Sequence, residues 1–544
     1  MDSSDCSVGL GMADGPSAVG TQGDDMFPHT YHSSVCKDQI FDQGRIKDHI
    51  DLLAPVKSEQ ECEETSLAPI VAGRALNIPS SVPNGGKRMF PKLQQYGLLA
   101  GLAPNMESQS QDGERDIRTA LGDPRVFFNV TSPSSTFICG SQGSGKSHTL
   151  SCMLENCLIP SKAGCLERPL TGLVFHYDAF ISDTMGSPCE AAYLSSNPNV
   201  KVRILCSPTN IQSVKFAYSR LKNVEVEPLQ IDESDLNTQR MLDLMAASQG
   251  DGPMPLYMHT VLRILRELRI EQQGTGMGFN YEKFKSRLLD SNLTIAQTEP
   301  LKQRLDTLES FLSKPQIGLS GHGKSKKKVE RRGSVWDPVP GRLTIVDLSC
   351  PCITPDTACA LFNICLGIFL EQDQSVGRVV ALDEAHKYMN SSAEASAFTN
   401  TLLLVVRLQR HLGVRVIIST QEPTISTALL NLCSVTIVHR FTSPEWLRIL
   451  RHHLAGAVDN CFALTPGSEN ELDDHPEEGE AETLFTKIVR LGVGQALLFA
   501  PSATVRTTVA DDGKVTIHQL GAQHLTIKVR ARLTDDGGKS VLSM

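Results

Sequence analysis

The chain has 544 residues, a formal net charge of −9 and 15 cysteines, and 40% of its residues are apolar. This length allows roughly two to four domains with a sizeable buried core. The acidic balance excludes a surface that is basic throughout, so nucleic-acid binding requires a local groove or an oligomer's central channel. The cysteines show no C-x-x-C pair, and we expect reduced thiols. The chain opens without a charged and apolar leader and has no long apolar run, which predicts an intracellular protein, cytoplasmic or nuclear, with no membrane contact.

Residues 1–115 are rich in Gly, Ser, Asp, Pro and Gln, and we expect this region to be largely disordered. Order is predicted to begin with the apolar run at 126–130, followed by a short strand at 136–139. A helix follows the loop after this strand, with Leu150, Met153, Leu154 and Leu158 on one face. We assign 116–236 to the first part of a nucleotide-binding core.

The loop between that strand and that helix reads G-x-x-x-x-G-K-S at 140–147, the pattern of a phosphate-binding loop. Its backbone N–H groups and the helix start favour phosphate. We expect Lys146 to contact the β- and γ-phosphates and Ser147 to ligate Mg²⁺. A glycine-rich surface turn is the alternative interpretation. The predicted nucleotide contacts are Gly140, Ser141, Gln142, Gly143, Ser144, Gly145, Lys146, Ser147 and His148.

Further apolar strands at 172–177 and 200–206, separated by helical stretches, predict a parallel sheet covered on both faces. Residues 237–315 have helical periodicity and predict a helical insert. Its Arg263, Arg266 and Arg269 face either solvent or a polyanion. Residues 316–341 form a basic linker, which suits nucleic-acid contact, nuclear import or plain solvation. Within it, Ser334 follows basic residues and is a candidate phosphorylation site.

The core is predicted to resume over 342–502, with an exposed acidic insert at 467–482. Strands are expected at 343–348, 378–382, 414–421 and 435–440. Residues 503–544 are interpreted as a C-terminal β segment, in which 504–509 and 515–520 form a hairpin around a D-D-G turn.

The strand at 378–382 ends in Asp383 and Glu384. Because parallel strands end at one edge of a sheet, this pair is expected beside the phosphate loop. There Asp383 is suited to hold Mg²⁺ and Glu384 to polarise the attacking water. Two acids that cap the next helix are the alternative. Gln421, at the end of another strand, is suited to sense the γ-phosphate or orient that water.

Three motifs, V-V-A-L-D-E-A-H-K-Y-M at 379–389, R-H-L-G-V-R-V-I-I-S-T-Q-E-P at 410–423 and V-T-I-V-H-R-F at 435–441, resemble the HerA/FtsK group of P-loop ATPases. The resemblance implies an α/β fold, a RecA-like core of the ASCE division, with a mostly parallel sheet flanked by helices and an extra strand between the nucleotide motifs. It implies Glu384 as catalytic residue, Asp383 as metal ligand and Gln421 as polar sensor.

In the same group an arginine from a neighbouring subunit completes the site of a ring, usually a hexamer. Arg410 is the best match here, and Arg407 and Arg440 are weaker candidates. Each arginine has an alternative role as partner of an acid on its own chain. The chain departs from the group by a wide gap between its two nucleotide motifs and by lacking the barrel and winged-helix regions of some relatives.

The leading hypothesis is an oligomeric ATP hydrolase that uses ATP and Mg²⁺ and couples hydrolysis to movement on DNA or to remodelling of a macromolecule. A nucleotide-gated interaction scaffold with slow or no hydrolysis is the alternative. A small-molecule kinase would also have the phosphate loop, but Asp383, Glu384 and Gln421 suit the activation of water better than that of a substrate hydroxyl. GTP specificity is disfavoured because no N-K-x-D stretch is present.

Overall fold

The computed structural model describes residues 66–76, 93–103, 123–179, 186–245, 256–291, 293–312, 333–454, 457, 483–509 and 515–537. Across these ranges, sixteen strands join in one mixed sheet. The strands are β1 (Ile70–Ala72), β2 (Tyr96–Leu102), β3 (Arg125–Asn129), β4 (Ser135–Cys139), β5 (Gly164–Cys165), β6 (Thr171–His176), β7 (Lys201–Cys206), β8 (Val224–Pro228), β9 (Arg342–Asp347), β10 (Arg378–Leu382), β11 (Val414–Thr420), β12 (Val435–His439), β13 (Gln495–Phe499), β14 (Thr504–Val509), β15 (Val515–Gln519) and β16 (Leu525–Val529).

Helices cover both faces of this sheet. In chain order they are α1 (Gly73–Leu76), α2 (Lys146–Leu158), α3 (Ile211–Tyr218), α4 (Thr238–Leu244), α5 (Leu256–Thr275), α6 (Tyr281–Leu289), α7 (Ile295–Phe311), α8 (Pro355–Glu371), α9 (Ala393–Arg407), α10 (Gln409–Leu412), α11 (Thr427–Leu432), α12 (Pro444–His453) and α13 (Leu484–Arg490).

One half of the sheet is parallel throughout, in the order β8-β7-β9-β6-β10-β11-β4-β12. Strand β11 lies between β4, which precedes the phosphate loop, and β10, which precedes the acidic pair. This is the extra strand that the HerA/FtsK resemblance implies. The predicted α/β fold with a RecA-like core is confirmed.

The core has two layers because side chains alternate between the faces of each strand. In β10, Val380 and Leu382 join the apolar cluster beneath α8 and α9, whereas Val379 and Ala381 join the cluster on the side of α2. Every residue of β10 is buried. Such fully buried, β-branched strands are typical of a parallel sheet covered on both faces.

The predicted helical insert is present as α4 to α7. It packs into the same apolar cluster as α8 and α9, with Leu301, Leu305 and Leu308 of α7 buried. The three arginines of α5 named above are exposed. Ser334 was expected to be a phosphorylation site, but its position in the structure contradicts this. The residue is only 8% exposed. Its Oγ accepts a hydrogen bond from the Gln230 N–H, and its own N–H donates to the Gln230 carbonyl.

The other half of the sheet is mainly antiparallel and uses both ends of the chain. Strands β1 and β2 come from the region expected to be largely disordered; the rest of 1–115 lies outside the described residues, apart from short flanks of these strands. The predicted C-terminal hairpin is confirmed as β14 and β15. Strand β16, which the sequence analysis did not predict, pairs with β13 and β2. The acidic insert and most of the basic linker lie outside the described residues.

Among the described helices, none combines the length and the apolar character that crossing a bilayer requires. The cysteines within the described ranges are free thiols, as expected, and most of them are buried.

Candidate nucleotide site

The phosphate loop connects β4 to α2 and has a backbone that depends on glycine. Gly140, Gly143 and Gly145 have φ angles of 152°, 72° and 111°. At Gly140 a Cβ atom would lie 2.7 Å from the Cβ of His439, so a side chain has no room there. Among the described residues, apart from its two chain neighbours, none has an atom within 4 Å of a Cβ built on Gly143. The loop thus forms a cradle of backbone N–H groups at the start of α2, a geometry suited to phosphate.

Neighbouring strands hold this loop in place. The Ser141 N–H and hydroxyl both donate to the carbonyl of Arg440, at 2.9 and 2.8 Å. Beneath the loop, the His439 ring is fully buried and bonds to Thr149 Oγ1 and the Gln495 carbonyl, each at 2.9 Å. Burial lowers the pKa of His439 to about 4, so the ring is neutral at physiological pH.

Lys146 follows the loop at the same edge of the sheet as the acidic pair. Its side chain is buried and its Nζ donates to the Ser141 carbonyl at 3.1 Å. Burial lowers the pKa of Lys146, while the carboxylates of Glu384 and Asp383 act in the opposite direction. The phosphate loop, Lys146 and the acidic pair are thus at one edge of the sheet.

Three other predicted loop residues occupy different surroundings. Ser147 is half-buried in the first turn of α2. The His148 ring donates from Nε2 to the carbonyl of Arg530 at 2.8 Å, so this side chain is bonded to the C-terminal segment. Ser144 is buried, and its hydroxyl donates to the Ser141 carbonyl at 2.7 Å.

Glu384 adopts an unusual backbone conformation directly after β10. Its φ and ψ of 48° and 47° lie in the left-handed region, which is uncommon for a residue other than glycine and costs roughly 1–3 kcal/mol. Its Oε2 lies 3.3 Å from Nδ1 of His386 and 3.4 Å from Nε2 of Gln421. Glu384 and Gln421, predicted from separate strands, are therefore in contact.

Asp383 is almost fully buried, and the two oxygens of its carboxylate differ. Oδ2 lies 3.3 Å from Nδ1 of His176 and 3.6 Å from Sγ of Cys189, whereas Oδ1 has no hydrogen-bond partner among the described residues. Burial alone would raise the pKa of Asp383, but His176, Cys189 and Lys387 hold it below its ordinary value. An ionised carboxylate with a buried, unpartnered oxygen fits a ligand to Mg²⁺ or to its water. With Ser147, it forms a donor set that suits this ion.

The sequence analysis missed His176 and Cys189. Neither residue is part of a spaced motif, and 13 positions of chain separate them. Their proximity to Asp383 arises only because β6 and β10 are adjacent parallel strands that end together. Burial raises the pKa of Cys189 to about 11.

The three candidate arginines occupy two edges of the sheet. Arg410 in α10 and Arg407 at the end of α9 are exposed and precede β11, so they lie at the edge opposite the phosphate loop. Strand β11 is seven residues long, which separates the two edges by roughly 20 Å. Arg440 follows β12 and lies at the loop's edge, where its carbonyl bonds to Ser141.

The strand order and the glycine-rich loop define the class of protein: the chain has the RecA-like fold of the P-loop NTPases. No protein-family model matches the sequence, and no curated protein matches it.

Solved structures similar to this chain include VirB4 of Thermoanaerobacter pseudethanolicus, with 11% identity over 84% of this chain and 99% of that one and a TM-score of 0.41. Plasmid coupling protein TrwB, in complex with a non-hydrolysable GTP analogue, is 10% identical to this chain. The match covers 84% of this chain and 98% of that one, with a TM-score of 0.39. The cytoplasmic domain of the Thermomonospora curvata Type VII secretion ATPase EccC is 11% identical to this chain. The match covers 84% of this chain and 30% of that one, with a TM-score of 0.28. At these TM-scores, the fold class rests on the chain's own strand order.

Proposed function

We propose that the chain is a Mg²⁺-dependent ATP hydrolase of the HerA/FtsK type, which acts as a homo-oligomer and couples hydrolysis to movement on DNA or to remodelling of a macromolecule. The observation that carries the proposal is that the phosphate loop with Lys146 and the acidic pair Asp383 and Glu384 lie at the same edge of the sheet, where the neighbouring parallel strands β4, β11 and β10 end. A loop that only bound phosphate would need no acidic pair at the same edge.

Each residue of the site has a proposed task. The loop N–H groups bind the phosphates, and Lys146 neutralises charge on the β- and γ-phosphates. Glu384 accepts a proton from the attacking water, and Gln421, 3.4 Å away, orients that water. Ser147 and Asp383 would hold Mg²⁺, which supplies charge stabilisation to the phosphate oxygens when it is bound.

Oligomerisation is proposed because the best-matched arginine cannot serve its own site. Arg410 lies at the opposite edge of the sheet from Lys146. An exposed arginine at that position is suited to enter the site of a neighbouring subunit, as the resemblance implies. We propose DNA as the polymer on two grounds: the resemblance to the HerA/FtsK group, and the exposed arginines of α5, which could contact a polyanion.

The ATPase rate of the purified protein, measured with and without double-stranded DNA, tests this proposal. We expect Mg²⁺-dependent hydrolysis that rises with DNA and is lost in Lys146→Ala. ATP binding without hydrolysis or a response to DNA would instead support the nucleotide-gated scaffold. Absence of ATP binding in the folded wild-type protein would contradict both.

A further inference from the structure

Three side chains with different metal-ligating atoms form a buried cluster behind the nucleotide site. His176 ends β6, Cys189 precedes the short 3-10 helix Glu190–Ser196, and Asp383 follows β10. Their exposed fractions are 6%, 0% and 2%, and one ligand atom from each lies within 4.8 Å of the others. Imidazole nitrogen, thiolate sulfur and carboxylate oxygen are the three ligand types that Zn²⁺ takes from proteins.

Two of the three separations within the cluster match the edges of a tetrahedron, and the third is below 4.8 Å. Zn–N and Zn–O bonds of about 2.0 Å and a Zn–S bond of about 2.3 Å place neighbouring ligand atoms roughly 3.3–3.5 Å apart. The measured separations are 3.3 Å between His176 Nδ1 and Asp383 Oδ2 and 3.6 Å between Cys189 Sγ and the same oxygen.

The His176 ring gives a second, independent indication of a ligand. Both of its nitrogens are buried, and among the described residues neither makes an aligned hydrogen bond. The short Nδ1 contact to Asp383 brings the charges together but does not have hydrogen-bond alignment. Since buried polar groups are rarely left without a partner, the buried Nδ1 atom points to a ligand, and metal ligation through Nδ1 would supply its partner.

The backbone of Cys189 is fixed by groups outside the cluster. Its N–H donates to Oη of Tyr218 at 2.9 Å, and that hydroxyl donates to Oδ2 of Asp347 at 2.6 Å. Both Tyr218 and Asp347 are buried. Outer hydrogen bonds of this kind hold first ligands in place at metal centres.

We propose that His176, Cys189 and the Oδ2 atom of Asp383 form a binding site for one divalent cation, Zn²⁺ or a close analogue, distinct from the Mg²⁺ that accompanies ATP and that the Oδ1 atom of Asp383 would hold. On binding, a metal–sulfur bond replaces the S–H bond of Cys189, and the thiol proton is released to solvent. The fourth position of the tetrahedron is left for water. The site does not depend on nucleotide, so it extends the proposed function without resting on it.

The test is a titration of metal-depleted, full-length protein with Co²⁺, which replaces Zn²⁺ and reports thiolate ligation by a near-ultraviolet charge-transfer band. We expect one Co²⁺ per chain with this band and with the visible spectrum of a tetrahedral ion, and displacement by Zn²⁺. His176→Gln and Cys189→Ser should weaken binding by more than about 100-fold, since loss of outer partners alone costs about 10–100-fold. Tyr218→Phe should weaken it by about tenfold.

Cys365→Ala is the matched control, because Cys365 is equally buried but lies in α8, outside the cluster. It should retain the full spectrum. Absence of the charge-transfer band in folded wild-type protein would overturn the proposal and leave a cluster that only positions Asp383. A band that survives in Cys189→Ser would assign the metal to other cysteines and overturn it equally. Neither result would contradict the proposed ATP hydrolysis, which the ATPase rate tests separately.

Discussion

The side-chain amide of Gln421 lies 3.4 Å from the Oε2 atom of Glu384, across the carboxyl ends of the adjacent parallel strands β11 and β10. In the proposed mechanism this contact places the amide beside the carboxylate that accepts the proton of the attacking water. We predict that Gln421→Ala lowers kcat by about 100-fold, the size expected when a reacting group loses its alignment, with little change in KM. Steady-state kinetics measure both values.

The control for Gln421 is Gln374→Ala, which changes an exposed residue in the loop before β10, at the opposite edge of the sheet. It should hydrolyse ATP at the wild-type rate. An unchanged kcat in Gln421→Ala would remove this residue from the mechanism.

A second prediction concerns Arg410, which lies at the edge of the sheet opposite Lys146. Arg410→Ala and Glu384→Gln should each be inactive alone, but mixed and reassembled subunits should recover activity. Sites with an intact Glu384 and a neighbour's intact Arg410 arise in about a quarter of random pairs in a symmetric ring. ATPase rates of equimolar mixtures should therefore reach about a quarter of the wild-type value.

Arg440 gives the opposite expectation, because it lies beside the phosphate loop of its own chain. If it acts there, mixing Arg440→Ala with Glu384→Gln leaves every site with at least one defect. No recovery in the Arg410 mixture, although mixed oligomers form, would rule out the trans arrangement for that residue.

A third prediction concerns the C-terminal segment that crosses α2. Arg530 Nη1 donates to Glu155 Oε2 at 2.7 Å, and Glu155 also accepts from the Thr534 hydroxyl and from the N–H groups of Leu533 and Thr534. The Glu155 side chain is 0% exposed and that of Arg530 is 8% exposed. Because Glu155→Gln leaves a buried guanidinium without its counter-charge, it should destabilise the fold by about 3 kcal/mol.

Thermal and urea unfolding measure this loss. The matched control is Glu445→Gln, which removes an ion pair of the same type from the surface, where Arg448 and Glu445 have side chains 68% and 57% exposed. Exposed pairs contribute about 0–1 kcal/mol, so the control should unfold close to the wild type. Equal stability of the two variants would show that the C-terminal segment is not held by Glu155.

The pH dependence of stability should report His439. Burial lowers its pKa to about 4, whereas an unfolded histidine titrates near 6.5, so protonation favours the unfolded chain. The neutral His439 ring contributes fully to the stability of the fold above about pH 6.5, and this contribution is lost as the pH falls toward 4. Between pH 7 and pH 5, protonation of His439 should lower the free energy of unfolding of the wild type by about 2 kcal/mol.

Urea unfolding of wild type and His439→Gln at the two pH values isolates that change as a difference between proteins. His411→Gln, at an exposed position in α10, should keep the wild-type dependence. A His439→Gln variant with the same pH dependence as the wild type would contradict a pKa of His439 that folding lowers.

The parts of this molecule that could be predicted from sequence are those with a local signal. The loop at Gly140–Lys146 has glycines, a lysine and a strand before it, and the acidic pair follows an apolar run that ends abruptly. The hairpin of β14 and β15 has a turn sequence and alternating strands. In each case the residues that determine the structure are neighbours in the chain.

The parts that were missed depend on contacts between distant segments. Strands β1 and β16 are short, and they form because β3 and β13 pair with them in the sheet. The ring of His176 meets Asp383 because two strands far apart in sequence end side by side. The left-handed backbone of Glu384 has no sequence signal, since that conformation normally favours glycine.

The most direct measurement of the central claim is a single-turnover experiment with radiolabelled ATP and Glu384→Gln. In this variant the phosphate loop, Lys146 and Asp383 are intact, and only the proposed proton acceptor is lost. We predict that it binds ATP as tightly as the wild type and cleaves it about 100-fold to 10,000-fold more slowly, the range for loss of a general base. Cleavage at the wild-type rate would contradict the assignment of this edge of the sheet as the hydrolytic site.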